Sequence, residues 1–208
     1  MNIAIIGAGA GIGLQSVIQA LKNGHTVTAL STNTDQIPNH PKLIKIKGSA
    51  TSPIDLKQAI KDCDAVLITV GTKNKKATTL FSDIAKTLIN VADELNFSAP
   101  VFVITGFGAG ESKKYLSFFM QTVISLFLKD QYIDKTIMEE LITKSALKWE
   151  IIRPGMLTNG DKTSSYKVLP ELRKGMKVGK ISRANVAHFL INEVENPKML
   201  YQYAALTN

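Results

Sequence analysis

The sequence predicts an α/β fold: a doubly wound parallel sheet with helices on both faces, in a single domain spanning residues 1–208. Three observations predict it. Short apolar runs alternate with helical stretches along most of the chain, the pattern of repeated strand–helix–strand units. The first run, Asn2 to Ile6 (NIAII), is almost uniformly apolar, as suits a strand covered on both faces. Directly after it comes GAGAGIG, Gly7 to Gly13, where four of seven residues are glycine.

The elements follow in order. Ile12 to Lys22 reads as a helix, closed by Asn23-Gly24. Thr26 to Leu30 is a second strand and Leu43 to Ile46 a short third one. Ile54 to Lys61 is helical, Asp64 to Val70 a fourth strand, and Thr79 to Leu95 a long amphipathic helix. Val101 to Thr105 is the fifth strand and Trp149 to Ile152 the sixth, with helical segments Lys114 to Leu128 and Tyr132 to Ser145 between them. Ser182 caps a last helix running to about Glu193. The polar segment Asn159 to Lys180 is expected to form irregular structure or a small substrate-side region.

Composition narrows the function. The chain is 45% hydrophobic and 20% charged, ordinary for a soluble globular protein. Its net charge of +8 attracts anions, yet no block of like charges or nucleic-acid signature appears, so no nucleic-acid partner is expected. A lone Cys63 forms no internal disulfide and fits a reducing, cytoplasmic setting. His25, His40 and His188 are scattered, so no metal site is expected. No signal peptide is visible. The longest apolar stretch, Tyr115 to Leu128, is too short to span a bilayer, so no membrane partner is expected.

The glycines sit where a buried strand ends and a helix begins. Glycine accepts positive φ and close approach of a ligand, and a helix start presents unpaired N–H groups at the positive end of its dipole. Together they hold a pyrophosphate. Gly7 is expected to make the turn, Gly9 to Gly11 to leave room for phosphates, and Gly13 to let the helix pack on the strand. Gly9→Asp is therefore expected to abolish dinucleotide binding while leaving the fold largely intact. In an NAD site an acid ends the second strand; here Ser31, Thr32 and Asn33 stand there. Hydroxyls and an amide donate to a 2′-phosphate, so NADP is expected over NAD, with Lys42 or Lys45 available to assist. Open α/β sheets bind ligands beyond the carboxyl ends of their strands, and Thr72, Thr105 and Pro154 follow predicted strands four, five and six.

The loop at 7–13 resembles the GATGxxG loop of atypical short-chain dehydrogenase/reductase proteins, with Gly9 and Ala10 departing from the usual residues. The stretches GHTVTAL (24–30), DAVLITVGT (64–72), TTLFSDIAKTLINVA (78–92), WEIIRPGMLTNG (149–160) and ISRANVAHFL (181–190) extend the likeness over most of the chain. The chain is most similar to the NAD(P)H-binding, NmrA-like group, which includes biliverdin reductase B, a flavin reductase, and this resemblance implies a Rossmann fold. It also implies a cofactor site: Gly7, Ala8, Gly9, Ala10, Gly11, Ile12 and Gly13 on the pyrophosphate, and Ser31, Thr32 and Asn33 around the 2′ position. Ser49 and Ala50 would lie near the adenine, Val70, Gly71 and Thr72 beside the ribose, and Thr105 near the nicotinamide. Pro154, Gly155 and Met156 would wall the carboxamide. Thr32 replaces an NADP-selecting Arg common in the group, and Ser49-Ala50 lacks its Asp.

Short-chain enzymes use a Tyr-x-x-x-Lys pair on one helix face, the lysine lowering the pKa of the proton-donating tyrosine. Here Lys135 has Gln131 four residues before it and Tyr132 three before it, still a same-face spacing. Thr105-Gly106 stands for the usual Ser-Ser. Thr105, Tyr132 and Lys135 are thus the candidate catalytic residues; Lys135 is also expected to touch the cofactor ribose, the alternative being a solvated cation beside Glu139, its i+4 neighbour. The expected activity is hydride transfer from NADPH to a flavin, quinone or similar planar small-molecule acceptor. Phe107, Tyr115, Phe118, Phe119 and Met120 either line its site or form core. The alternatives are a non-catalytic NAD(P)-sensing regulator of the NmrA type and an epimerase- or dehydratase-like member. A monomer or homodimer is expected, with the helix at 115–128 an interface if exposed.

Overall fold

The computed structural model describes residues 1–72 and 78–208. Its strands are β1 (Asn2–Ile6), β2 (Thr26–Ser31), β3 (Leu43–Lys47), β4 (Ala65–Ile68), β5 (Pro100–Ile104), β6 (Lys148–Pro154), β7 (Met156–Thr158), β8 (Lys167–Leu169), β9 (Lys180–Ser182) and β10 (Tyr203–Thr207). Eight form one sheet in the order β3-β2-β1-β4-β5-β6-β10-β8, and β7 pairs with β9 alone. Every neighbouring pair of the large sheet is parallel except β10 with β8, which is antiparallel. The chain leaves β1 toward β2 and β3, then returns to β4 on the other side of β1. That reversal opens a crevice beyond the carboxyl ends of β1 and β4.

The pleat explains the two layers. Successive side chains of a strand face opposite ways: Ile3 and Ile5 of β1 pack on one face, Ala4 and Ile6 on the other. The first face is covered by helix α1 (Gly11–Lys22), through Val17 and Ala20. On the second lie α2 (Pro53–Ile60), through Leu56 and Ile60, and α3 (Leu80–Leu95), through Ile84 and Leu88. A short α4 (Phe118–Val123) precedes α5 (Lys129–Thr143), which adds Met138 and Ile142 to the second face. Helix α6 (Arg183–Glu195), capped by Ser182 as expected, returns to the first face beside α1.

Three expectations change. The helix predicted at 114–128 starts only at Phe118, because Gly110–Tyr115 is a 3-10 turn and the Ser117 hydroxyl caps α4 by accepting the Met120 N–H. With no Gly or Pro from 118 to 143, nothing stops it, and Ile124–Leu128 passes as a wide π-helical turn straight into α5. The fourth strand ends at Ile68 rather than Val70: the Thr69 N–H and hydroxyl both turn back to the Ile6 carbonyl, each at 2.8 Å. Strands β7 to β10 were not foreseen; of these only β8 lies within the segment 159–180, where irregular structure or a small substrate-side region was expected.

Beneath α6, Glu150 of β6 is fully buried, and neither carboxyl oxygen finds a hydrogen-bond partner among the described residues. Burial, reinforced by the charge of Glu193, pushes Glu150 up to about 9. The folded chain therefore keeps a proton that the unfolded chain releases near 4.5. Its contribution to stability is full below pH 4.5 and is lost as pH rises toward 9. Glu150→Gln is expected to melt increasingly above the parent protein from pH 5 to pH 9. Melting curves that stay parallel across that range would show Glu150 ionised in the fold.

Candidate functional site

The crevice starts at the glycine loop. Gly7 has φ of +89°, and a side chain there would press on the Val70 backbone nitrogen at 2.7 Å, so the turn admits only glycine. The N–H groups of Gly7 and Ala8 both donate to the Leu30 carbonyl, at 2.9 and 3.2 Å, which ties the loop to the end of β2. A Cβ on Gly13 would overlap the Gly7 carbonyl, so this glycine brings α1 onto the strand end as expected. Gly9 has a different reason. A Cβ there would overlap the Asn33 carbonyl and sit 2.5 Å from the Ser31 hydroxyl. Its size is set by packing against the β2 turn, and Gly9→Asp would displace that turn rather than leave the fold intact.

The anion-binding geometry lies at Ala10. This exposed residue is the N-cap of α1, with no side-chain capping bond and no acid in the first turn. Helices α2, α4 and α6 are instead capped by Ser52, Ser117 and Ser182. Among the described residues the first-turn N–H groups of α1, from Gly11, Ile12 and Gly13, thus have no capping side chain, which fits a phosphate. Gly11 adds positive φ of +58°, with only the Arg183 side chain nearby, at 3.6 Å from its absent Cβ.

At the end of β2, where the adenosine was expected, the Ser31 hydroxyl accepts the Asn33 N–H, and the Asn33 side-chain oxygen accepts the Asp35 N–H at 2.8 Å. Thr32 is exposed. Neither lysine proposed to assist is available: Lys42 donates to the Gly24 carbonyl, and Lys45 to the Ile37 carbonyl and Asn39. Lys47 was overlooked. It stands opposite Ser31 in the β2–β3 register and on the same sheet face, a placement the alternation in LIKIK already encodes. Ser49 donates its N–H to Asp55 of α2 at 2.8 Å, so a carboxylate from α2 underpins the loop that lacks its own. Ala50 packs at the edge of the second-face core. Past β4, Val70 packs there too, while no described residue comes within 4 Å of the point a Gly71 side chain would occupy; Thr72 is half-buried.

The far end gathers the three candidate catalytic residues. Thr105 follows β5 and is buried; its hydroxyl donates to Glu139 at 2.6 Å and so turns inward. Its carbonyl accepts the Lys135 ammonium at 2.7 Å. The Tyr132 hydroxyl and Lys135 Nζ lie 3.0 and 3.7 Å from the point a Gly106 side chain would occupy. Gly106, standing where the resemblance implies a serine, makes room for both. Lys135 also sits 5.1 and 5.2 Å from the ring centres of Phe81 and Tyr132. Burial brings Lys135 down to about 8 against the opposing attraction of Glu139, and burial raises the Tyr132 hydroxyl. Next to them, Asp134 of α5 accepts the N–H groups of Phe81 and Ser82, capping α3 and fixing the two helices together.

Glu139 does not pair with Lys135. It binds Arg153 of β6 through both oxygens, at 3.0 and 2.7 Å. Arg153 is 1% exposed, also donates to Glu111 at 3.0 Å, and stacks 3.9 Å from the Tyr203 ring centre. The sequence reading missed this cluster, whose sign was an arginine at the end of the strand WEIIR, directly after two isoleucines. Pro154 ends β6, the Gly155 N–H donates to Leu206, and the Met156 N–H donates to Gly179, which fixes this wall while the Met156 side chain stays exposed. Beyond Gly106 opens a cavity of about 700 Å³ lined by Phe107, Tyr115 and Met120 on one side and Met176 and Val178 on the other. Of the aromatic set, Phe118 and Phe119 are neither lining nor core; they are exposed. Among the described residues no cluster of potential metal ligands occurs, and no helix is long and apolar enough to cross a membrane.

An uncharacterized sugar epimerase, YhfK of Bacillus subtilis, is 25% identical over 202 residues, covering 94% of this chain and 88% of its own. A short-chain dehydrogenase/reductase from Veillonella parvula, solved with NADP, superposes with a TM-score of 0.84 at 17% identity, covering all of this chain and 94% of that one. ChuY, an anaerobillin reductase from Escherichia coli O157:H7, gives 0.80 at 21% identity, with 100% and 97% covered. Those two likenesses establish the fold. Residues 7–197, from the first glycine of the loop to just past α6, match the NAD(P)H-binding family, and the chain belongs to it.

Proposed function

We propose that the protein is an NADPH-dependent reductase of a planar acceptor. One observation carries this reading: Tyr132 and Lys135 converge on Gly106 at the end of β5, and the next residue, Phe107, lines the cavity. A bound reduced nicotinamide would supply the hydride. The chain's part is to orient and to protonate. The α1 N-terminus holds the pyrophosphate, and the walls of the cavity hold the acceptor ring. The Thr105 carbonyl anchors Lys135, whose ammonium keeps a proton below about pH 8. Tyr132, neutral across the same range, donates a proton beside it. NADP is favoured over NAD because, among the described residues, no carboxylate hydrogen-bonds the side chains of the Ser31–Asn33 turn, and Lys47 lies beside it.

The Thr105 hydroxyl, committed to Glu139, favours a second reading, a dinucleotide sensor without turnover. The name of the Bacillus relative points to sugars, but Phe107, Met120, Met176 and Val178 suit an aromatic ring better than a polyol. Calorimetry with NADPH and NADH, followed by NADPH oxidation with flavin or menadione, separates the readings. The reductase binds NADPH more tightly, turns over faster than the flavin-only rate, and loses rate above about pH 8. Lys135→Met removes the pH-dependent rate and keeps NADPH binding. Tight binding with no turnover on any acceptor establishes the sensor.

A further inference from the structure

The cavity beyond Gly106 has two walls of similar build. One comes from the segment after β5 and carries Phe107 and Met120 with Lys114 at its rim. The other comes from the stretch between β8 and β9 and carries Met176 and Val178 with Lys174 and Lys177. Phe107, Met120, Met176 and Val178 belong to one apolar cluster, so the floor is continuous across the two walls. All three lysines are exposed. None makes a side-chain hydrogen bond or ion pair among the described residues.

The neighbouring acids are already engaged. Glu111, nearest to Lys114 in chain, is bridged to Arg153 at 3.0 Å; against burial, Arg153 and, to a lesser degree, the Lys114 charge hold its carboxyl below the usual range. Glu171, close to Lys174 in chain, is bridged to Arg173 at 2.6 Å. The rim therefore presents exposed lysines on both sides of the slot: Lys174 and Lys177 on one wall, and Lys114 on the other, where Glu111 offsets part of its charge. Such a field attracts anions and orients them as they enter.

We infer that this cavity selects acceptors whose apolar ring carries an anionic substituent, a phosphate or carboxylate, and that Lys114, Lys174 and Lys177 determine that preference. The inference rests on reading the cavity as the acceptor site. The ring lies between the two apolar walls, and the anionic substituent reaches the rim, where a lysine from either wall meets it. A neutral ring of the same shape gains the walls and forgoes the rim.

FMN and riboflavin share one ring and differ by a phosphate, so they serve as probes. Flavin fluorescence is titrated with protein in saturating NADP+, which fills the dinucleotide crevice and permits no reduction. FMN is expected to bind about tenfold more tightly than riboflavin, consistent with a few exposed charge contacts, and added salt should narrow the gap. The charge reversal Lys114→Glu, Lys174→Glu, Lys177→Glu should weaken FMN by at least that factor and leave riboflavin and NADP+ binding unchanged. Equal affinity for the two flavins, equal loss of both in the variant, or binding of neither would overturn the inference. The titration needs no turnover. A protein that prefers FMN here but never oxidises NADPH keeps the anion selectivity and loses the reductase reading.

Discussion

Ala10→Asp is expected to stabilise the fold and abolish cofactor binding in one substitution. Ala10 is exposed, has extended backbone (φ −159°, ψ 170°) and caps α1 without a side-chain acceptor. An aspartate there takes the N–H groups of Ile12 or Gly13, a gain of about 1 kcal/mol. For a chain of this length that raises the melting temperature by about 2–4 °C. The same carboxylate occupies the donors meant for the pyrophosphate and repels it. Losing two charge-assisted hydrogen bonds alone weakens NADPH by about 100-fold or more. Thermal melting and calorimetry on one preparation read both effects. A stabilised variant with unchanged NADPH affinity would place the diphosphate elsewhere. Gly9→Asp lacks this clarity, because Gly9 is packed against Asn33 and its loss confounds binding with folding.

Arg153→Leu is expected to cost the most stability. The guanidinium is buried between β6 and α5, bridged to Glu139 by both of its oxygens, and Glu139 is itself only 2% exposed. Removing the cation strands a buried carboxylate, which costs about 3–5 kcal/mol. The melting temperature should fall by about 10 °C. Adding Glu139→Leu should restore part of the loss, since an apolar pair carries no uncompensated charge. Urea denaturation of the two variants decides. If Arg153→Leu unfolds at the parental midpoint, the cluster does not join the strand to the helix. The consequence reaches the site, because Glu139 also holds the Thr105 hydroxyl and the Thr105 carbonyl holds Lys135.

Much of the fold was legible because burial leaves a periodic trace. NIAII, TVTAL and VFVIT are strands with both faces covered, and each appears where its apolar run lies, within a residue. Strand β10 escaped although Ala204, Ala205 and Leu206 are core. Five residues after a turn carry too little pattern, and only pairing with β6 makes them a strand. The helix at 118–143 was split in two because its outward Phe118, Phe119, Leu126 and Phe127 read as a separate apolar segment.

Within the site, local chemistry and spatial chemistry divide. By themselves the residues determined the glycine turn, its place between a buried strand and a helix, and the doubly wound class, because each depends on neighbours in sequence. They also put Tyr132 and Lys135 one turn apart. Tertiary structure decided the rest. It brought Gly106 under both side chains, gave Glu139 to Arg153 instead of Lys135, tied up Lys42 and Lys45, and set Lys114 opposite Lys174 and Lys177. Those contacts join residues far apart in the chain, and no periodicity in one segment reports the charge or bulk that another segment will bring against it.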